Sequence, residues 1–172
     1  SIFDMLQNMQ EHDDATFAHS LNVAMLSHNL AKWLGWSNAD VKTATICGLF
    51  HDIGKLLVPS ELIKKPGKLS RDEYDKIRKH PEIGYKLLRK LKAPDEVCQA
   101  ALMHHERCDG SGYPYHLKAH KISPFAKLTS IADVYDAMTS TRVYRTCICP
   151  FTAIWLFESD GILKYEPGYI TT

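Results

Sequence analysis

The sequence predicts an all-α fold, a single helical bundle spanning 1–172. Three observations carry that prediction. Apolar residues recur at helical steps of four and three, capping and proline signals punctuate the chain, and alternating strand patterns are scarce. At 172 residues and 45% hydrophobic content, the chain has enough apolar side chain for one core.

Taken in order, His19, Val23, Leu26, Leu30 and Trp33 mark one face of a helix ending near Gly35. Ser37 with Asp40 resembles a capping box and opens a helix from about Asn38 to Phe50. That helix delivers His51 and Asp52 at its C-terminal end, with Gly54 as a left-handed terminator. Pro59, Pro66 and Gly67 break the next stretch, and Ser70 with Glu73 repeats the capping signal. The helix it opens stops before His80-Pro81, since a residue preceding proline avoids the α region. Pro81, Pro94, Pro124 and Pro150 each stand where a first helical turn can begin. Between Glu106 and Ser123 lies the longest irregular stretch, headed by Asp109-Gly110-Ser111-Gly112-Tyr113-Pro114.

Bulk composition narrows the function. Lys plus Arg number 21 against 20 Asp plus Glu, so no basic excess advertises a long nucleic acid or an anionic membrane. No run approaches the roughly 20 apolar residues of a membrane span, and no signal peptide opens the chain. The five Cys (Cys47, Cys98, Cys108, Cys147 and Cys149) include no CxxC pair, which suits reduced thiols in a cytoplasmic location. The start without Met and the abrupt stop at Thr172 suggest an excised domain whose N-terminal partner is missing.

The residues with metal-binding chemistry are His19, His51, Asp52, His80, the pair His104-His105, and Asp133. Each has a bland reading when taken alone. An isolated His-Asp pair is usually a capping Asp beside a solvated His, and a lone His on an apolar face is usually a satisfied core residue. His80 can simply cap the helix entered at Pro81. Together, however, they are several polar intrusions into apolar helices, best explained by one shared acceptor of lone pairs. Six or seven donors exceed the needs of one tetrahedral ion, so the count points to two ions bridged by a carboxylate. The lack of Cys among them argues against structural zinc. The donor mixture suits iron, manganese, nickel or zinc.

The order H…HDIGK…HP…HHE…DGSGYP…IADVYDAM…R..YR resembles the HD-GYP family of bacterial cyclic di-GMP phosphodiesterases, within the HD phosphohydrolase superfamily. The likeness runs from about His19 to Arg145 and implies a bundle of the HD-domain type. It implies that His19, His51, Asp52 and Asp133 hold one ion, and that Asp52, His80, His104 and His105 hold its neighbour. Asp52 would be the bridge. Iron or manganese leads among the metals, with nickel and zinc next. Lys55 matches the family lysine near the scissile phosphate, and Arg142 and Arg145 match a basic pair that grips substrate phosphates. Gly112, Tyr113 and Pro114 belong to the loop that shapes the guanine pocket. Taken without the family pattern, Lys55, Arg142 and Arg145 read as solvated charges, and Tyr113 as a loop anchor. The resemblance further implies an N-terminal sensory or receiver domain.

Two-metal logic gives the expected mechanism. Paired ions acidify water near neutral pH and stabilise the charge of in-line displacement, while Lys55 protonates the leaving 3′-oxygen or neutralises its charge. Arginine forks suit bidentate phosphate recognition. Where members with three metals carry Glu, four residues before His19, this chain has Ala15, so a two-metal centre is expected. Asp14 diverges by about 100° on a helix and is discounted. Cys108, Thr141 and Val143 depart from frequent family residues without removing a ligand, and His12, His28, His116 and His120 receive no metal role.

The leading expectation is hydrolysis of cyclic di-GMP to linear pGpG, with GMP as the alternative end product. Another cyclic dinucleotide, such as cyclic GMP-AMP, would use the same phosphate machinery. A catalytically silent nucleotide- or partner-binding module should have lost ligands, and this chain keeps them. The DGSGYP segment and the R..YR tail argue against a generic mononucleotidase.

Overall fold

Asp13 separates the first two helices, α1 (Ile2–His12) and α2 (Asp14–Trp33), and its carboxylate accepts the Thr16 backbone N–H at 2.9 Å. The computed structural model describes residues 2–140, 147–159 and 163–170. Gly35, at φ +71°, turns the chain out of α2 in the left-handed region that glycine tolerates. Ser37 Oγ then accepts the Asp40 N–H and caps α3 (Asn38–Phe50), with the bounds the sequence predicts.

His51 and Asp52 follow α3 directly and lead into a 3₁₀ turn, Ile53–Leu57. Next come α4 (Ser60–Ile63) and α5 (Arg71–Ile77), the latter opened by a complete Ser70–Glu73 capping box. Helix α6 (His80–Lys90) starts at His80, with Pro81 inside its first turn, one residue earlier than the proline rule suggests. Pro94 precedes α7 (Asp95–Met103). A second 3₁₀ turn, Ala119–Lys121, sits in the irregular stretch before α8 (Pro124–Thr139). The described chain closes with α9 (Pro150–Ser159) and α10 (Pro167–Ile170). Among the described residues, the one antiparallel bridge, Asp109 to Lys118, does not extend into a strand. The fold is all-α.

Helices α2, α3, α7 and α8 pack on one another to form the centre, and α6 lies across α7 and the first 3₁₀ turn. Phe50, Ile53, Leu88, Val97, Cys98 and Ala101 fill one core cluster. Ala31, Val41, Ala44 and Leu128 form another, sealed by Trp36 edge-on to Phe125 at 5.1 Å.

Two local expectations need correction. The stripe of α2 that is buried runs through Ser20, Ala24, Ser27 and Ala31 beside His19 and Val23, while Trp33 is 75% exposed. Close approach of α3 is the reason: a Cβ on Gly48 would lie 2.8 Å from Ser27 Oγ and 2.9 Å from Ala24 Cα. Small residues therefore occupy the contact, and the longer Leu26, Leu30 and Trp33 line a surface groove with Ile131 and Tyr135. Gly54 is not in the left-handed region. It is glycine because the 3₁₀ turn presses against the His80 carbonyl and the Gly84 amide, leaving no room for a Cβ.

Candidate metal centre

The ends of three helices meet over α2 and α8. His51 and Asp52 sit at the end of α3, His80 at the start of α6, and His104-His105 at the end of α7. His19 projects from mid-α2 and Asp133 from mid-α8. Helix ends let adjacent residues such as His51 and Asp52 face a common point, which a continuing helix would forbid.

Two groups of donor atoms result, each with its members within 4.8 Å of one another: Asp52, His80, His104 and His105, and His19, His51 and Asp133. Asp52 stands between them. Its Oδ1 is 3.1 Å from His80 Nε2 and 3.7 Å from His104 Nε2, whereas its Oδ2 is 3.4 Å from His51 Nε2 and 3.9 Å from His19 Nε2. One oxygen thus faces each group. His19 Nε2 lies 3.0 Å from Asp133 Oδ1, and His105 Nδ1 lies 4.0 Å from Asp133 Oδ2.

Backbone carbonyls fix the imidazoles. His51 Nδ1 donates to the Gly48 carbonyl (2.7 Å), His80 Nδ1 to Ile77 (2.8 Å) and His104 Nδ1 to Ala101 (2.9 Å). Each bond spans three residues and turns the Nε2 lone pair inward. That is the outer-shell arrangement that orients metal-binding histidines. His19 uses a carboxylate instead: its Nδ1 donates to Asp136 Oδ2 at 2.5 Å, and Asn22 and Ser140 donate to Asp136 Oδ1.

The electrostatics suit a cation. Burial, reinforced by the His51 and His80 imidazoles, pushes His104 down to about 4 against the pull of Asp52. Burial and His104 hold His105 well below the ordinary imidazole value. Both rings are neutral at pH 7 and carry free lone pairs. Burial opposes ionisation of Asp52, yet Lys55 and His51 hold its carboxyl well below the usual range. Burial likewise opposes ionisation of Asp133, and its hydrogen bond to His19 prevails. Burial disfavours a charged His19, but Asp133 and Asp136 outweigh it and raise its pKa to about 9. The carboxylates therefore favour positive charge here, and an ion would compete with that proton. His51 Nε2 and Asp52 Oδ1 are fully buried with no hydrogen-bond partner. Leaving such atoms unpaired is costly, and a metal ion resolves it.

Lys55 Nζ sits 2.5 Å from Asp52 Oδ2, at the rim of this cluster. Tyr113 stacks on His105 with centroids 4.7 Å apart. Gly112 is buried under the backbone of His105, Glu106 and Arg107, with no space for a Cβ, and a cis Tyr113-Pro114 bond follows it. Arg142 and Arg145, with Thr141 and Val143, lie outside the described residues. His12, His28, His116 and His120 belong to neither donor group, and Ala15 is exposed.

Sequence reasoning missed two contributors. Asp136, three residues after Asp133 and so on the same helix face, carries the hydrogen bond that orients His19. Buried Glu106 accepts the backbone N–H groups of Tyr115 (2.7 Å) and Leu117 (2.9 Å), pinning the loop that bears Tyr113. The i+3 spacing was a usable signal for Asp136; no sequence feature marks the partners of Glu106.

Known proteins resemble this chain in sequence and in fold. A family described as HD domain matches residues 3–166. A Pseudomonas aeruginosa cyclic di-GMP phosphodiesterase is 40% identical, across 81% of this chain and 34% of that protein. The Vibrio cholerae 3'3'-cGAMP-specific phosphodiesterase 1 is 44% identical, across 88% of this chain and 34% of that protein. The chain thus spans about a third of the length of these relatives. In structure it is similar to an HDG"Y"P protein from Bdellovibrio bacteriovorus, at TM-score 0.72 and 25% identity, covering 88% of this chain and 49% of that one. The L. monocytogenes PgpH HD domain bound to cyclic-di-AMP shares the fold at TM-score 0.69 and 20% identity, covering 92% and 84%.

Proposed function

This chain belongs to the HD domain family, and from its site we propose that it is a metal-dependent phosphodiesterase hydrolysing cyclic di-GMP to linear pGpG, with GMP as the product of a second cleavage. The observation that carries the reading is Asp52, whose two buried carboxylate oxygens each face a separate cluster of imidazoles. His19, His51 and Asp133 would hold one transition-metal ion, His80, His104 and His105 a second, and Asp52 both. Iron or manganese suits the donor set first, then nickel or zinc. When bound, such a pair supplies Lewis acidity and acidifies water.

The chain's own residues do the rest. Asp136 and the Gly48, Ile77 and Ala101 carbonyls hold the imidazoles in one tautomer, so no reorganisation accompanies substrate entry. Lys55 places an ammonium beside Asp52, where it meets the charge of the departing 3′-oxygen and offers it a proton. Tyr113, held between His105 and Arg78, walls the approach with an aromatic edge against which a purine can pack. Gly112 and Pro114 set that wall, and Arg142 and Arg145 are assigned the substrate phosphates by family resemblance.

A specific observation favours a second substrate: the V. cholerae relative at 44% identity is named for 3'3'-cGAMP. Both phosphodiesters present the same chemistry to the metal cluster. Incubating the metal-loaded protein with cyclic di-GMP, 3'3'-cGAMP and cyclic di-AMP, and separating the products chromatographically, decides between them. Cyclic di-GMP should turn over fastest, and turnover of none of the three would defeat the reading. Relatives more than twice as long support an N-terminal sensory or receiver domain in the full-length protein, and a cytoplasmic substrate supports a cytoplasmic location. Among the described residues no helix is long and apolar enough to cross a membrane.

A further inference from the structure

We propose that Arg78 is a substrate-binding residue that grips the second, non-scissile phosphodiester of the cyclic dinucleotide. The inference rests on the proposed function and extends it to a residue outside the metal cluster.

The Arg78 guanidinium lies 4.4 Å from the Tyr113 ring centroid, and Tyr74 holds it from 5.9 Å. Since Tyr113 itself stacks on His105, the cation sits two stacking steps outward from a metal-binding imidazole. Its backbone is held on both sides. Arg78 caps α5, its N–H donating to the Tyr74 carbonyl while the Lys79 N–H donates to Lys76, and the neighbouring Ile77 carbonyl accepts from His80 Nδ1. Among the described residues no carboxylate pairs with Arg78 and no acceptor takes its side-chain N–H groups.

A half-buried guanidinium with fixed backbone, an aromatic platform and no acceptor is set up for an external one. Tyr113 lies against the guanidinium but accepts none of its N–H groups, which remain for the oxygens of a phosphate. Its outward position fits the phosphodiester that the metal cluster does not hold. The surrounding charge agrees. Residues 64–92 contain eleven of the 21 Lys and Arg and four of the 20 acids, a local charge of +7 in a chain of net +1. Such a segment beside the site mouth draws a dianionic ligand inward.

The test is equilibrium binding of cyclic di-GMP to metal-loaded protein at several NaCl concentrations, in a Lys55→Ala background that slows turnover. Wild-type hydrolysis is measured alongside. Arg78→Ala should weaken binding about ten- to hundredfold, as expected for loss of a charge-assisted hydrogen bond, with metal content kept. The salt dependence of the remaining binding should become shallower, because one ionic contact is gone. Unchanged affinity overturns the inference. So does weaker binding with an unchanged salt slope, which would make Arg78 a prop for Tyr113 or a reader of the base. Should Arg78→Ala lose metal, Arg78→Lys decides: several-fold weaker binding is expected, and wild-type affinity would show that the planar fork is unused. A wild-type protein that cleaves while these variants bind normally refutes only the role of Arg78. One that neither binds nor cleaves refutes the function as well.

Discussion

Asp136 accepts the Nδ1–H of His19 at 2.5 Å while Asn22 and Ser140 donate to its other oxygen, so a carboxylate that reaches no ion fixes the ring of one that would. Removing it frees the His19 ring to rotate and to bind metal through either nitrogen. Asp136→Ala should therefore lower metal affinity and turnover by about ten- to hundredfold, the usual size of such outer-shell losses. Asp136→Asn should fall between, since an amide oxygen still accepts. Titration calorimetry with Mn²⁺ reads the effect directly, and wild-type affinity in Asp136→Ala would reduce the residue to a helix-packing role.

Asp52 makes a sharper demand. Because its two oxygens face different imidazole groups, Asp52→Ala should release both ions together and abolish turnover. Elemental analysis of protein purified without chelator should fall from near two transition ions per chain to near zero. Loss of a single ion would mean that the carboxylate serves one group alone. Chelation of the wild-type protein should also lower Tm, since an ion that binds the folded state stabilises it by mass action.

Much of this site was legible in the sequence because its donors interrupt apolar helices, where an unpaired His or Asp is expensive. His51-Asp52 and His104-His105 declared themselves as adjacent pairs at helix ends. Asp136 was harder to see, because a second Asp one turn after Asp133 looks like a continuing polar face. Arg78 was invisible: its partner Tyr113 is 35 residues away and arrives only when the loop closes onto Glu106. The bundle was predicted from capping signals that recur in the structure, but the buried stripe of α2 was not. Periodicity finds large apolar residues, whereas the α2–α3 contact is made by Ser27, Ala24 and Gly48, chosen for the absence of bulk.

Glu106 links loop shape to substrate affinity. Its buried carboxylate accepts two backbone N–H groups, and a glutamine amide can satisfy only one of them. Glu106→Gln should cost about 1–3 kcal/mol, the desolvation penalty of the orphaned N–H. The loop carrying Tyr113 should loosen, raising KM more than it lowers kcat while both ions remain bound. Steady-state kinetics with metal analysis checks this, and loss of metal in the variant would place Glu106 with the cluster instead.

Gly54 ties the metal cluster to the fold. A Cβ there would collide with the His80 carbonyl and the Gly84 amide, so Gly54→Ala must push the 3₁₀ turn away from α6. Asp52 and Lys55 ride on that turn and His80 begins α6, so one methyl group separates residues that must act together. Overpacking of this kind costs about 1–3 kcal/mol. In a chain of this size that lowers Tm by about 2–12 °C. Gly168→Ala, whose added Cβ meets nothing within 4 Å, is the control and should not lower Tm. Turnover of Gly54→Ala should fall further than its folded fraction at the assay temperature explains, because the Asp52–His80 spacing of 3.1 Å is disturbed even in molecules that remain folded. Calorimetric melting combined with activity per folded molecule separates the two effects. Full specific activity in the folded fraction would show that the cluster tolerates the shift.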